Sequence, residues 1–231
     1  MDIKVIASGS SGNCYLVSDG KTKFLLDCGI PIKRIQKASG YRLSDCSFCL
    51  LTHEHGDHSK AAKDLLRYGL TVYSGQGTLD ALGISSYNAK PVKAKGMFSE
   101  GSLGIIPLEA EHDAAEPLNY YIASKVTGDR LAYITDTYYM RYKLDGLTQI
   151  LLEINYDEET LQENQAVNAL PYAKRVWKSH MGLETAVEFL KANDLSKLRE
   201  IYVIHISNQN GNEKKIKDTI QQVTGVPVIM T

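Results

Sequence analysis

Three of the six histidines of the chain fall within six residues, in the segment Thr52-His53-Glu54-His55-Gly56-Asp57-His58. Side chains two residues apart in an extended segment point to the same side, so His53 and His55 can face one ion. Asp57 and His58 follow at the expected start of a helix and can turn back towards that ion. Imidazole and carboxylate groups suit zinc, manganese or iron. The segment therefore predicts a metal site, since a solvated polar turn would not need three histidines after a buried strand.

Further candidate ligands are few and lie far apart along the chain. His112 follows an expected strand, Asp136 ends another, and His205 lies near the end of a third. Functional residues of α/β folds gather where strands end. Each of the three taken alone is more often a core histidine or a turn aspartate. Together with the histidine segment they predict a ligand set large enough for two ions.

The elements expected around these residues are short strands with helices inserted between them. A buried strand over 47–52 leads into the histidine segment, and a helix over 59–68 follows it. Strands are also expected over 3–7, 14–17, 23–27, 71–73, 103–109, 119–123, 130–135, 150–154, 200–206 and 226–230, and helices over 31–38, 78–82, 157–167, 185–192 and 213–223. Antiparallel strands with inserted helices, arranged in two halves, predict two sheets covered by helices.

Composition limits the class of protein. A chain of 231 residues with 43% hydrophobic and 23% charged residues is ordinary for one globular domain, here predicted over 1–231. The formal net charge of −1 means that any nucleic acid must be bound through local contacts. No apolar run approaches the ~18 residues needed to cross a bilayer and the start is not leader-like, so the protein is expected to be cytoplasmic and to contact no membrane. The four cysteines are expected to be buried and reduced.

The histidine segment resembles the metal motif of the metallo-β-lactamase superfamily. Asp27, His112, Asp136 and His205 match the other motifs of that superfamily in order. Within it, the chain is similar to the YycJ/WalJ-like group, which is related to the ribonuclease Z-like phosphodiesterases. The segments that carry this finer similarity are 7–13, 112–117, 152–157 and 204–207. One position differs, because Tyr156 stands where the group often has a histidine.

The resemblance implies a fold and a ligand set. The fold is a four-layer αββα sandwich of two mixed, mostly antiparallel sheets flanked by helices. Two divalent ions per chain are implied, with Zn²⁺ as the first choice and Mn²⁺ or Fe²⁺ as alternatives. By the same resemblance, one ion is held by His53, His55 and His112, the second by Asp57, His58 and His205, and Asp136 bridges them. Asp57 would also orient the hydroxide that bridges the metals, whereas Asp27 would fix the loop of the motif.

Residues outside the ligand set are candidates for contact with substrate. His180 stands where ribonuclease Z-like enzymes carry a His-x-Thr type element, although Gly182 replaces the hydroxyl residue. The resemblance implies that His180 is a catalytic proton donor or phosphate contact, and a simple role near a helix start is the alternative. Asn13 lies in a turn that either reaches the site or is only a turn. A cationic run around the single tryptophan can grip phosphates or form a solvated helix face, and its cations are Lys174, Arg175 and Lys178.

Three functional hypotheses follow. The first is a dinuclear metal-dependent phosphodiesterase or nuclease acting on DNA through a metal-bridging hydroxide, with the 5′ to 3′ exonuclease activity known of the resembled group. The second is a hydrolase of a small ester, thioester or cyclic nucleotide. The segment Glu111-His112-Asp113 argues against thioesterases and lactonases, which usually have Thr-Pro-Gly-His there. The third is a non-catalytic binding module, and the intact ligand set argues against it.

Overall fold

The structure is a computed structural model that describes residues 1–165, 179–207 and 210–231. The chain divides into two compact units. The first comprises Met1–Glu109 and Ala114–Asp129, and the second comprises Ala110–Asp113 and Arg130–Thr231. Compactness does not test independent folding, so the single domain over 1–231 stays a prediction.

The first unit contains a six-stranded sheet with the strand order β1-β2-β3-β4-β5-β6. Pairing is antiparallel from β1 to β3 and parallel from β3 to β6. The strands are β1 (Asp2–Ala7), β2 (Cys14–Ser18), β3 (Lys23–Leu26), β4 (Phe48–Leu50), β5 (Thr71–Ser74) and β6 (Ala89–Pro91). The connecting helices are α1 (Ile32–Ala38), α2 (Gly56–Ser59), α3 (Ala62–Arg67) and α4 (Gln76–Ala81), with a 3₁₀ turn at Leu43–Asp45.

Three further strands of the first unit form an antiparallel meander, β7 (Phe98–Glu100), β8 (Leu103–Glu109) and β9 (Leu118–Ser124). The core of the unit is apolar, with Leu25, Cys49 and Val72 fully buried on adjacent strands. All four cysteines are buried and form no disulfide, which confirms the prediction of reduced core thiols.

The second unit contains four parallel strands in the order β13-β12-β11-β10. They are β10 (Arg130–Ile134), β11 (Gln149–Glu153), β12 (Glu200–Ile204) and β13 (Val228–Met230), and the described helices are α5 (Glu158–Gln165), α6 (Leu183–Ala192) and α7 (Glu213–Thr224). Every residue of β11 is buried, including Glu153. A charged residue inside a fully buried strand needs a partner, because an unpaired buried charge is costly.

The structure differs from the expected elements in three places. The helix predicted over 59–68 begins later, at Ala62, because Ser59 ends the separate helix α2 and the backbone N–H of Ala61 donates to Cys28 O at 2.9 Å instead of continuing it. The short strands β6 and β7 were not predicted, since three residues carry too little periodicity. More of the described strand pairs are parallel than the sequence predicts, because local sequence does not reveal which strands are joined through helices. No helix in the described ranges is long and apolar enough to cross a membrane.

A buried aspartate supplies a pH-dependent part of the stability of the first unit. Asp19 accepts hydrogen bonds from Thr22 N at 2.7 Å and from the hydroxyls of Ser102 and Ser124 at 2.6 and 2.7 Å. Burial by itself would raise the pKa of Asp19, but these hydrogen bonds outweigh it and lower the pKa to about 2. The depressed pKa means that the stabilisation is complete above about pH 5 and is lost as the pH falls towards 2.

We expect Asp19→Asn to lower the free energy of unfolding by about 2 kcal/mol at pH 7. The difference from the wild type should shrink as the pH falls to about 2, where Asp19 itself becomes protonated. Urea unfolding at several pH values measures this, and any acid release of metal affects both proteins equally. Asp64→Asn is the matched control, because Asp64 forms only an exposed pair with Arg67 and should matter little at any pH. A difference for Asp19→Asn that is constant with pH would contradict the assignment.

Candidate metal centre

Three of the predicted site residues adopt left-handed backbone directly after or close to strand ends. The φ angles are 53° at Asp27, 47° at Asp136 and 53° at His205. Such φ values cost roughly 1–3 kcal/mol for residues other than glycine, and they persist where surrounding contacts fix them. At each of these residues the extended backbone of the strand ends. The polar side chain therefore no longer follows the alternation of strand side chains between the two faces of the sheet.

In the first unit, Asp27 orients two histidines, His58 directly and His53 through Thr52. The Nδ1 of His58 donates to Asp27 Oδ2 at 2.7 Å, since an ionised carboxylate only accepts. Thr52 donates its hydroxyl proton to Asp27 and its backbone N–H to Asp27 Oδ1 at 2.8 Å. The Thr52 hydroxyl oxygen is then the acceptor for Nδ1 of His53 at 3.0 Å. Both imidazoles therefore carry their lone pair on Nε2, which is the arrangement of a histidine ready to bind metal.

The histidine segment gathers its rings as the spacing predicts. The ring centroid of His53 lies 4.6 Å from that of His55 and 4.3 Å from that of His58. His55 precedes the first residue of α2, and Asp57 and His58 lie within that helix, with Asp57 Oδ2 3.5 Å from His58 Nε2. The strand β4 ends at Leu50, so the segment leaves the core and turns immediately into the short helix.

The backbone beneath this segment is held by close contacts. Asn13 N donates to Asp57 O at 2.7 Å, and Cys28 N donates to His58 O at 2.8 Å. The Asn13 side chain is fully buried, and its Nδ2 lies 3.1 Å from His58 Nε2. The contact of Asn13 with substrate stays a prediction, and its side chain contacts Gly9 and Tyr15 as well as the histidine segment.

Gly29 permits the closest of these approaches. A Cβ atom at this position would lie 1.6 Å from Asp57 O and 2.7 Å from His58 N. Because backbone atoms cannot give way cheaply, we expect Gly29→Ala to displace the histidine segment and to lower both metal content and thermal stability. Gly20→Ala is the control for loss of a glycine as such, since nothing lies within 4 Å of a Cβ there. Elemental analysis showing normal metal content in Gly29→Ala would contradict the expectation.

In the second unit, Glu153 holds two histidines at once. Its Oε1 accepts from Nδ1 of His180 at 2.7 Å and from Nδ1 of His205 at 2.9 Å. Its Oε2 accepts from Thr137 N at 3.2 Å. Glu153 is completely buried, whereas the His180 side chain is 20% exposed and that of His205 only 4%. The carboxylate thus fixes both rings and leaves the more accessible His180 at the surface of the cluster.

His112 and Asp136 complete this cluster. His112 Nδ1 donates to Ser179 O at 2.8 Å, which leaves Nε2 as the lone-pair nitrogen, 3.5 Å from Asp136 Oδ2. Asp136 Oδ1 lies 3.8 Å from His205 Nδ1 and accepts from the Thr135 hydroxyl at 2.8 Å. One carboxylate therefore directs its two oxygens towards two different histidines.

The pKa values of the second-unit histidines move in opposite directions. Burial favours the neutral form and lowers the pKa of His112 below its usual value. Burial acts in the same direction on His180, but the charge and hydrogen bond of Glu153 outweigh it and raise the pKa of His180. Burial would raise the pKa of Glu153, yet the charge of His180 and the bonds from both imidazoles leave it lowered. The arrangement favours a neutral His112 and an ionic His180–Glu153 pair.

The side chains present fit a divalent metal. Asp136, Glu153, His180 and His205 each offer a ligand atom, and these atoms all lie within 4.8 Å of one another. The donor set is imidazole and carboxylate, as zinc, manganese and iron prefer. An oxygen atom lies at hydrogen-bond distance from Nδ1 in five of the six histidines, which fixes those rings before any ion is bound; the five are His53, His58, His112, His180 and His205.

Not every predicted contact can be located. Lys174, Arg175 and Lys178 lie outside the described residues, and their role in binding substrate stays a prediction. Tyr156, which differs from the YycJ/WalJ-like group, and Gly182, which differs from the ribonuclease Z-like element, are in contact with each other. A Cβ on Gly182 would lie 2.7 Å from the Tyr156 ring, so the tyrosine takes the space that a side chain at 182 would need.

Sequence reasoning missed Glu153, although a signal was present. A single carboxylate in the otherwise apolar run 150–154 indicates a buried charge that requires a partner. We expect Glu153→Gln to weaken metal binding or turnover by about 10- to 100-fold, the usual effect of removing a carboxylate behind a histidine. Chelator competition and steady-state kinetics measure this. Glu200→Gln, the same change on the neighbouring strand β12, should have little effect, and equal losses in the two variants would contradict the role of Glu153.

Comparison with known proteins agrees with this geometry. A sequence profile described as the beta-lactamase superfamily domain matches residues 22–206. The exodeoxyribonuclease YycJ of Bacillus anthracis is 30% identical over 237 aligned residues, which cover 96% of this chain and 89% of that protein. The exodeoxyribonuclease WalJ of Streptococcus pneumoniae serotype 2 is 28% identical over 221 residues, covering 89% of this chain and 81% of that protein.

Solved structures share the fold. The metallo-β-lactamase fold protein YhfI from Bacillus subtilis has a TM-score of 0.77 at 16% identity, covering 99% of this chain and 95% of that one. The short form of human tRNase Z has a TM-score of 0.65 at 13% identity, covering 100% of this chain and 96% of that one. The predicted fold class is thereby confirmed.

Proposed function

The chain belongs to the metallo-β-lactamase superfamily as a metal-dependent hydrolase, and from this premise we propose that it is a two-metal phosphodiesterase that degrades DNA as an exonuclease. The observation that carries the proposal is the 30% identity to an exodeoxyribonuclease over 96% of the chain. The clusters of imidazole and carboxylate groups support it, because they are the ligands that a hydrolytic metal centre needs.

The proposal assigns the ligands as the family resemblance implies. His53, His55 and His112 would hold one ion, Asp57, His58 and His205 would hold the other, and Asp136 would belong to both ligand sets. We expect the native metal to be Zn²⁺, and elemental analysis of the purified protein tests this. When bound, the ions polarise the phosphodiester and acidify water, each of which lowers the barrier to hydrolysis.

The residues of the chain divide the remaining work. Asp57, 3.5 Å from His58 Nε2, is placed within the histidine segment, where its carboxylate can orient the attacking water. Asp27 and Thr52 keep the Nε2 atoms of His53 and His58 unprotonated. His180, with Nδ1 fixed by Glu153, can give a proton from Nε2 to the leaving oxygen.

A panel of substrates tests the proposal. The protein is incubated with Mn²⁺ or Zn²⁺ and with single-stranded DNA, double-stranded DNA, RNA, bis-p-nitrophenyl phosphate, a cyclic nucleotide and a thioester. We expect DNA to be degraded, and strands labelled at the 5′ end to release labelled mononucleotide first, as a 5′ to 3′ exonuclease would. Internal cuts as the first products would exclude an exonuclease. Hydrolysis of the thioester or the cyclic nucleotide without cleavage of DNA would establish the small-molecule alternative instead.

A further inference from the structure

Two adjacent tyrosines, separated from Asp136 by Thr137 alone, are exposed. Tyr138 is 44% exposed and Tyr139 is 48% exposed. The exposed large hydrophobic residues of the described part of the chain are Tyr41, Tyr68, Tyr87, Met97, Val126, Tyr138 and Tyr139. Tyr138 and Tyr139 are the one consecutive pair among them, and they lie two and three residues, at most about 11 Å of chain, from Asp136, a proposed metal ligand.

The segment that carries these rings, residues 137–141 and here called the tyrosine loop, is fixed at its backbone. Thr137 donates its hydroxyl to Tyr139 O at 2.8 Å, and Tyr138 N donates to Glu111 O at 3.2 Å. Glu111 N in turn donates to the Thr137 hydroxyl at 2.9 Å, and its carboxylate pairs with Arg141. Glu111 directly precedes His112, so the tyrosine loop is tied to a second candidate ligand as well.

Two buried residues anchor the tyrosine loop. Thr137 is fully buried and Met140 is 4% exposed, while the two tyrosine rings between them remain in solvent. A rigid backbone that presents two aromatic rings loses little conformational entropy when a ligand stacks on them. Since Arg141 is paired with Glu111, the exposed Lys143 supplies the positive charge next to the loop.

We infer that the tyrosine loop is a base-binding subsite, on which Tyr138 and Tyr139 stack nucleobases of a single strand whose phosphodiester lies at the metal centre. The inference rests on the proposed function for the identity of the strand. Every base has a π-face, so stacking on tyrosine binds a strand without demanding a sequence. Lys143 adds a phosphate contact, which agrees with a chain whose net charge of −1 allows only local attraction of a polyanion.

Binding without cleavage tests the subsite directly. The metal-loaded protein is titrated against a fluorescein-labelled, nuclease-resistant phosphorothioate strand of thymidines and against an abasic strand of the same length and linkage. We expect Tyr138→Ala/Tyr139→Ala to weaken binding of the thymidine strand by about 5- to 150-fold for each stacked base, and binding of the abasic strand far less. Tyr138→Phe/Tyr139→Phe should retain binding, since the rings remain.

Matched controls separate the possible results. Tyr87→Ala removes a tyrosine of the first unit that is 88% exposed, and it should leave the affinity for both strands unchanged. If the double variant melts at a lower temperature than the wild type, the same titrations are made with the single variants Tyr138→Ala and Tyr139→Ala. Equal weakening on the two strands, unchanged affinity, or no binding by the wild type would overturn the inference. The double alanine variant could lose affinity for the thymidine strand alone while the wild type fails to cleave ordinary DNA. That result would support the subsite and refute the proposed nuclease function.

Discussion

Asp136→Asn is expected to leave the protein folded but without its full complement of metal, and to reduce phosphodiester hydrolysis by about 10³-fold or more. In the proposed ligand set Asp136 serves both ions, and its oxygens lie 3.5 Å from His112 Nε2 and 3.8 Å from His205 Nδ1. Loss of the ions removes several kcal/mol of charge stabilisation, and each 1.36 kcal/mol is a factor of ten in rate. Asparagine is the suitable replacement, because it keeps the shape of the side chain and tolerates the φ of 47° at this position.

Asp27→Asn is the matched comparison. Asp27 has nearly the same backbone conformation, with φ of 53°, and is equally enclosed, but its oxygens accept from His58 and Thr52. We expect it to retain metal with an affinity about 10- to 100-fold weaker, since it orients a ligand and binds no ion. Elemental analysis and chelator competition on both variants measure the difference. Equal metal loss in the two variants would show that the roles assigned to these aspartates are wrong.

The parts of the site that could be predicted are those whose chemistry is local in sequence. The spacing of His53, His55 and His58 fixes their grouping without knowledge of the fold, and the rings do lie within 4.6 Å of their neighbours in that segment. The position of Asp27 at the end of a strand was also visible, and its contact with His58 agrees with the role predicted for it.

The parts that could not be predicted depend on pairing between distant segments. The strands β10, β11 and β12 are parallel neighbours, so Asp136, Glu153 and His205 come from strand ends that are 17 to 69 residues apart in sequence. No local pattern fixes that order. The contact of Gly182 with Tyr156 was hidden for the same reason, since it depends on an isolated parallel bridge between these two residues. The tyrosine loop belongs to no regular element, and only burial distinguishes its exposed rings from packed ones.

His180→Ala should separate metal binding from chemistry. The histidine is not in the ligand set that the family resemblance implies, and its Nδ1 is already held by Glu153 at 2.7 Å. The side chain is 20% exposed, against 4% for His112 and His205, so His180 is the most accessible of the three histidines to an incoming substrate. We expect the variant to keep its metal content and nearly normal thermal stability, while turnover on DNA falls by about 10²- to 10⁴-fold, the range for loss of a general acid.

The leaving group decides between the two roles open to His180. An alkoxide released from DNA must be protonated or neutralised, whereas p-nitrophenolate leaves without a proton. If His180 donates the proton, the loss in His180→Ala should be much smaller on bis-p-nitrophenyl phosphate than on DNA. Equal losses on the two substrates would instead assign His180 to contact with the phosphoryl oxygens. Loss of metal would make it a ligand, as its place beside Asp136, Glu153 and His205 also allows, and unchanged turnover would leave it a purely structural partner of Glu153.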